Sequence, residues 1–272
     1  MSLENNKAIV TGGLQGIGLC VAEKLLENGC NVVILDVQED KWEQLRKEWI
    51  NKFPCRQFHF VMCNLLNRKE TISSFEKAHQ LLDGLDIVIN NAGVSDELNW
   101  DICLDIDFKA MIRVAYIGVN LMSLTNGGRG GVVVNSASCA GLANFPFPAY
   151  AAAKHGITAF TRSIEKIPEF LALHGVRVNS VCLGFTKTKL VRQEYIKQGE
   201  RLDDFPSISL LNNFRDQMWK QYPFEAMIPI EKAASLYLQL IQDKTVHAKN
   251  LFYAGIQQEK PLFHEYEGIE RP

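Results

Sequence analysis

Tyr150 and Lys154 stand at i and i+4 in Tyr150-Ala151-Ala152-Ala153-Lys154, a spacing that puts both on one face of a helix. A tyrosine with its ordinary pKa of ~10 is a poor base at neutral pH. An ammonium beside it stabilises the phenolate and lowers that pKa, so the pair could take the proton of an alcohol hydroxyl. Ser138 lies upstream in Ser136-Ala137-Ser138-Cys139-Ala140-Gly141, just after a β-rich run. Strand ends in open α/β sheets face the ligand crevice, and a hydroxyl there could bind the substrate oxygen. Any helix surface can carry a Tyr–Lys pair at this spacing. The elements that place it therefore carry the argument.

A second constellation lies at the start of the chain. Thr11-Gly12-Gly13-Leu14-Gln15-Gly16-Ile17-Gly18 follows the β-rich run Lys7–Thr11 and opens a helical stretch. In a strand–turn–helix setting, such glycines allow a tight turn, close approach of backbone to a pyrophosphate, and tight helix–strand packing. The helix N-terminus adds free N–H groups and a positive dipole end. Asp36, at the end of the next apolar run, Asn31–Leu35, is placed to accept hydrogen bonds from a ribose 2′-hydroxyl and to repel a 2′-phosphate. No basic residue stands at 36 or 37, so the sequence favours NAD over NADP. With a nicotinamide at hand, the proton chemistry of Tyr150 becomes half of a hydride transfer.

The elements between these sites alternate. Short β-rich runs at 57–62, 86–89, 132–135, 177–182 and 251–254 are separated by helical stretches at about 40–52, 68–82, 103–124, 149–174 and 231–242. The 149–174 helix is expected to kink at Pro168. The runs are nearly continuous in apolar residues, as strands covered on both faces require. This pattern predicts an α/β fold: a Rossmann-type, doubly wound parallel sheet in a single domain spanning residues 1–272. The segment from 187 to 230, with Pro206, Pro223 and Pro229, reads as a substrate lid.

The sequence resembles the short-chain dehydrogenase/reductase family over nearly its whole length. The resemblance rests on Thr11-Gly12-x-x-x-Gly16-Ile17-Gly18, Asp36, Asn90-Asn91-Ala92-Gly93, Ser138, Tyr150 and Lys154, in the family's order and spacing. Asn126-Gly127-Gly128-Arg129-Gly130-Gly131, Lys154-His155-Gly156-Ile157 and Gly184-Phe185 are most similar to the NAD-linked 15-hydroxyprostaglandin dehydrogenase and insect alcohol dehydrogenase branch. The resemblance implies that Gly12, Gly13, Leu14, Gln15, Gly16, Ile17 and Gly18 shape the cofactor loop, and that Asp36 and Val37 meet the adenosine ribose. It implies that Cys63, Asn64 and Leu65 line the adenine site and that Asn91, Ala92 and Gly93 border the cofactor ribose. Lys154 would also bind the nicotinamide ribose, and Thr186, Lys187 and Thr188 would hold the carboxamide and phosphates. Ser138, Phe147, Tyr150 and Phe185 would contact substrate. Family members commonly pair into dimers or tetramers through the Tyr-bearing helix and the long helix before it, which implies a homodimer or homotetramer.

Three positions depart from the family pattern. Its helix-borne catalytic Asn falls on Asp107; an acid can still hold a water there, and it places a negative charge beside Lys154. Leu183 stands where Pro usually precedes Gly184. The segment between Ser138 and Tyr150 is one residue shorter than in the prostaglandin branch, with Phe147 where that branch has a polar substrate-binding residue. Phe145, Phe147, Phe185, Val191, Tyr195, Phe214, Met218 and Trp219 suggest an apolar pocket for a terpenoid, fatty or hydroxy-lipid alcohol, although aromatic residues are as commonly plain core. A rival reading, motivated by Asp107, is a catalytically weak NAD-binding sensor or interaction protein on the same fold.

Composition narrows the classes further. The 272 residues carry 29 Lys plus Arg against 31 Asp plus Glu, a net charge of −2, so neither a nucleic-acid surface nor a polybasic membrane contact is expected. Seven Cys, an odd number with no C-x-x-C pair, and six His without ligand spacing read as reduced thiols in a cytoplasmic protein with no metal site. The polar opening, Met1–Lys7, does not read as a signal peptide, and no apolar run reaches the length of a membrane span.

Overall fold

The computed structural model describes residues 3–97, 99–188, 227–255 and 260–263. Eight strands form one sheet in the order β3-β2-β1-β4-β5-β6-β7-β8. They are β1 (Lys7–Thr11), β2 (Asn31–Asp36), β3 (Phe58–Met62), β4 (Ile87–Asn90), β5 (Gly131–Ser136), β6 (Val176–Leu183), β7 (Asn250–Tyr253) and β8 (Leu262–Phe263). Every pairing from β3 to β7 is parallel. Only β8, which the sequence pattern did not announce, runs antiparallel, with Leu251 opposite Phe263.

The apolar runs are continuous because successive residues feed two separate cores. Ala8, Val10, Val32, Ile34, Ile87 and Ile89 pack on one face with α1 (Gly16–Glu27), α2 (Trp42–Lys52) and α8 (Ile230–Gln242). Ile9, Val33, Leu35 and Val88 pack on the other with α3 (Arg68–Leu82) and α5 (Met111–Met122). Chain direction across the sheet reverses between β1 and β4. The crevice beyond the carboxyl ends of those two strands is the ligand site of such sheets, and the glycine loop and Asn91–Gly93 both open onto it.

Two helical expectations need correction. The stretch from 149 to 174 is not one kinked helix. α6 (Pro148–Ser163) gives way to a 3-10 turn, Ile164–Lys166, and α7 (Phe170–His174) is a separate element. Ile167 is extended, with φ −81° and ψ 114°, because the ring of Pro168 disfavours helical backbone in the residue before it. The stretch expected from 103 starts earlier, as α4 (Trp100–Leu104), and reaches α5 through a π-helical turn, Asp105–Ala110. Asp107 sits in that turn. Single π turns within helices are frequent at functional sites. Most of the expected lid, and with it Val191, Tyr195, Phe214, Met218 and Trp219, lies outside the described residues.

Candidate active site

α6 begins with Pro148 at its first position, where the missing N–H costs nothing. Gly156 brings α6 against the π turn: a Cβ there would lie 2.4 Å from the Phe108 ring. This close approach joins Lys154 to Asp107. Lys154 Nζ lies 2.8 Å from Asp107 Oδ2 and donates to the carbonyl of Ser136 at 3.1 Å. Asp107 Oδ1 accepts from the Val94 N–H at 2.7 Å. The two charges are almost wholly removed from water, at 4 % and 0 % exposure. Beyond the Lys154 ammonium, Oδ2 has no hydrogen-bond partner among the described residues.

Tyr150 lies one helical turn before Lys154, whose Nζ stands 5.4 Å from the centre of the phenol ring. Ser138 lies close enough to the phenol to favour its ionised form. Ser138 Oγ also accepts from the Ala140 N–H at 3.1 Å, which holds it at the mouth of β5. The electrostatics differ from the simple expectation that Lys154 brings the phenol pKa down. Burial pushes Tyr150 up and outweighs the rest; Lys154 and the Ser138 hydroxyl pull it down, while Asp107 pushes it up, and the net direction is upward. For Lys154, burial alone disfavours the ammonium, but Asp107 and Tyr150 more than offset this and hold it above the ordinary lysine range. Burial pushes Asp107 up against the pull of Lys154.

Phe145 links α6 to the wall of the crevice. Its ring centre lies 6.1 Å from Tyr150, 5.5 Å from Phe147 and 5.9 Å from Phe185. Phe147 is buried at the start of α6. Behind the site, the Tyr237 hydroxyl pairs with Ser136 Oγ at 2.6 Å. Burial pushes Tyr237 up to about 12.

At the dinucleotide end, Gly12 has φ +64° and its Cβ would fall 2.9 Å from Ala92 Cα. A Cβ on Gly18 would lie 2.3 Å from the Gly12 carbonyl oxygen and 2.4 Å from Asn91 Nδ2. These glycines let the loop and the end of β4 meet. Asn91 fastens that contact, donating from Nδ2 to the carbonyls of Thr11 and Gly12 at 3.0 and 3.1 Å. Thr11 Oγ1 accepts from the N–H groups of Asn91 and Ala92. No side chain caps the start of α1. Among the described residues, the Cβ direction of Gly16 (φ +56°) meets only Thr188, at 3.7 Å, so Thr188 faces the loop. Gly13 packs against Ile34, and Leu14 is buried. Ile17 packs on the first core, and Gln15 accepts from Lys41 Nζ at 2.8 Å.

Asp36 is buried and already engaged: Oδ2 accepts from the Leu14 N–H at 3.1 Å, and Oδ1 from those of Val37 and Gln38 at 2.8 and 3.1 Å. It therefore fixes the shape of the glycine loop as well as closing β2. Val37 is exposed beside it. Cys63 and Leu65 belong to the second core, which leaves their backbone and the exposed Asn64 as what this segment offers a ligand. Gly93 abuts the Asp107 carboxylate. Thr186 is buried, and it and Lys187 are tied to Ile228 by backbone pairing.

One residue had no signal in the sequence. Glu97, buried in the loop after β4, accepts from the N–H of Ala149 at 2.7 Å and of Tyr150 at 3.3 Å. The sequence separation of 52 between Glu97 and Ala149 puts this contact beyond any local spacing rule.

A dinucleotide cradle at the sheet's switch point, with a Ser–Tyr–Lys set beside it, defines an oxidoreductase site of the Rossmann class. Residues 6–199 match the family model described as short chain dehydrogenase, and the chain belongs to the short-chain dehydrogenase family. It is 32 % identical over 248 residues to the mouse (Mus musculus) 15-hydroxyprostaglandin dehydrogenase [NAD(+)], covering 91 % of this chain and 89 % of that one. It is 31 % identical over 193 residues to alcohol dehydrogenase 2 of Ceratitis rosa, covering 70 % and 73 %. Its fold matches a short-chain dehydrogenase/reductase from Burkholderia phymatum, solved in complex with NAD, with a TM-score of 0.77 at 19 % identity over 93 % of this chain and 90 % of that one. Among the described residues, no helix is long and apolar enough to cross a membrane.

Proposed function

We propose that the protein is an NAD-dependent dehydrogenase that oxidises a hydrophobic secondary or allylic alcohol, with hydroxy-lipids as the favoured class. The observation that carries this reading is Tyr150 one turn from a Lys154 ammonium that stands 5.4 Å from its ring centre and is held by Asp107, with Ser138 at the mouth of β5 beside them. The residues at the dinucleotide end fit the cofactor. A loop drawn tight against the end of β4 at Gly12 and Gly18, a start of α1 with no side-chain cap among the described residues, and Thr188 facing Gly16 suit a pyrophosphate. Asp36 suits an unphosphorylated ribose. NAD, when bound, supplies the acceptor for the hydride that leaves the carbinol carbon.

Everything else falls to the chain itself. Ser138 Oγ holds the substrate oxygen beside Tyr150, and the Tyr150 oxygen takes the hydroxyl proton as the carbonyl forms. Lys154 steadies the resulting phenolate charge. Asp107 holds Lys154 charged and in place, with the Ser136 carbonyl as its second anchor. The Phe145–Phe147–Phe185 cluster supports an apolar substrate and keeps water from the reacting atoms. The relative named for 15-hydroxyprostaglandin makes a hydroxy-lipid the natural first choice. Phe147 argues for a less polar ligand than a prostaglandin.

The test is a panel of hydrophobic secondary and allylic alcohols, hydroxy fatty acids included, with NADH formation read by absorbance. Wild type should turn over at least one class. Tyr150→Phe should lose about 10²–10⁴-fold in kcat while still binding NAD. A folded, NAD-binding wild type inert across the panel would overturn the proposal and favour the sensor reading, whose motive is the charge that Asp107 places against Lys154.

A further inference from the structure

The catalytic helix lacks a cap of its own. Phe147, at the N-cap position of α6, offers no side-chain hydrogen bond, and Pro148 has no N–H to satisfy. The next two N–H groups belong to Ala149 and Tyr150. Both are taken by the carboxylate of Glu97, which reaches them from the loop between β4 and α4. From Ala151 onward, bonding within the chain resumes, with the Ala151 N–H donating to the Phe147 carbonyl at 2.8 Å. Glu97 therefore satisfies the open donors of this helix start, and it sets its charge where the helix dipole favours an anion. It is 4 % exposed, so solvent does not readily replace it.

The same loop holds the other half of the site, because the Val94 N–H fixes Asp107 and Asp107 fixes Lys154. One stretch, from Asn91 to Glu97, thus ties the glycine loop through Asn91, the ammonium through Val94 and the phenol-bearing residue through Glu97. We infer that Glu97 is a positioning residue for Tyr150: by gripping that residue's own backbone N–H, it sets the phenol beside Lys154 and couples its placement to the cofactor loop. The inference rests on the proposed dehydrogenase reading for its kinetic readout and on geometry alone for its spectroscopic one. Burial raises the Glu97 carboxyl, while the two N–H groups pull it down and neighbouring Asp96 pushes it up.

The experiment compares wild type, Glu97→Gln and Glu97→Ala at a temperature where all three are folded. Glu97→Ala should lower kcat about tenfold, as expected for a small misplacement of a reacting group. KM for the alcohol and the affinity for NAD should stay within about twofold. Glu97→Gln, which keeps one acceptor oxygen, should recover part of the loss. A helix cap with no role in placement would lower Tm and leave kcat unchanged, and that result overturns the inference. So does a loss confined to NAD affinity.

A second measurement needs no turnover. In protein labelled at tyrosine Cζ, the Tyr150 resonance, assigned with Tyr150→Phe, should move or broaden in Glu97→Ala. The six other tyrosines should stay in place. Superimposable spectra overturn the inference. Were wild type inert towards every alcohol, the dehydrogenase reading would fail while this spectrum still decided the role of Glu97.

Discussion

Replacing Asp107 by Asn restores the amide that the family pattern leads one to expect, and its consequences can be worked from the geometry. Asp107 Oδ2 is 2.8 Å from Lys154 Nζ, which is 5.4 Å from the Tyr150 ring centre, so the carboxylate lies at most about 8 Å from that ring. At an effective dielectric near 20, a unit charge at that distance contributes about 2 kcal/mol. Asp107 pushes the phenol up, so Asp107→Asn should move the Tyr150 titration down. The assay is kcat/KM for the alcohol against pH with NAD saturating. In the proposed mechanism activity rises as Tyr150 loses its proton, and the rising limb should sit at lower pH in the variant. Lys154 would stay buried without its counter-charge, so stability should fall by about 3 kcal/mol, several degrees in Tm. A rising limb that stays in place or moves upward, in a variant that has lost stability, would refute the electrostatic argument. It would leave Asp107 with a purely architectural part.

Gly18→Ala should weaken NAD binding by at least about tenfold, because the new Cβ would sit 2.3 Å from the Gly12 carbonyl and force the loop open. Calorimetric titration with NAD decides this, and an unchanged affinity would count against the cradle. Asp36→Asn should raise the ratio of NADP to NAD efficiency by about tenfold or more as the repulsion of a 2′-phosphate is lost. Equal ratios in variant and wild type would show that Asp36 acts only through its bonds to Leu14 and Val37. Alkaline stability should follow the buried thiols. Burial pushes Cys30, Cys103 and Cys182 from 9.0 up to about 12. The unfolded chain then releases these protons first, and stability, complete below pH 9, is lost as pH rises towards 12. Thermal melts from pH 8 to 11 should show a falling Tm, and a flat profile would contradict the thiol burial.

What the sequence disclosed and what it withheld divide along a physical line. Strands β1, β2 and β4 to β7 were legible because burial on both faces forces a continuous apolar run, and β6 is buried at every position; β3, half-buried at the sheet edge, was legible through Phe58, Phe60 and Val61. β8 was not, because its two residues are exposed and owe their extended form to pairing with β7 rather than to their own pattern. Tyr150 and Lys154 were legible through helical spacing, and the glycine loop through backbone demands that only glycine meets. Placement across the fold was not written in any local pattern. The π turn at Asp107 has no residue signature, and Glu97 meets Ala149 only because β4 and α6 end in the same crevice. The sign of the Tyr150 shift was out of reach for the same reason. The helix spacing supplied the ammonium that lowers it, but the burial and the carboxylate that raise it come from elements distant in the chain. Local rules named the groups that could do the chemistry, and the long-range contacts of the β4–α4 loop determine the state in which those groups are held.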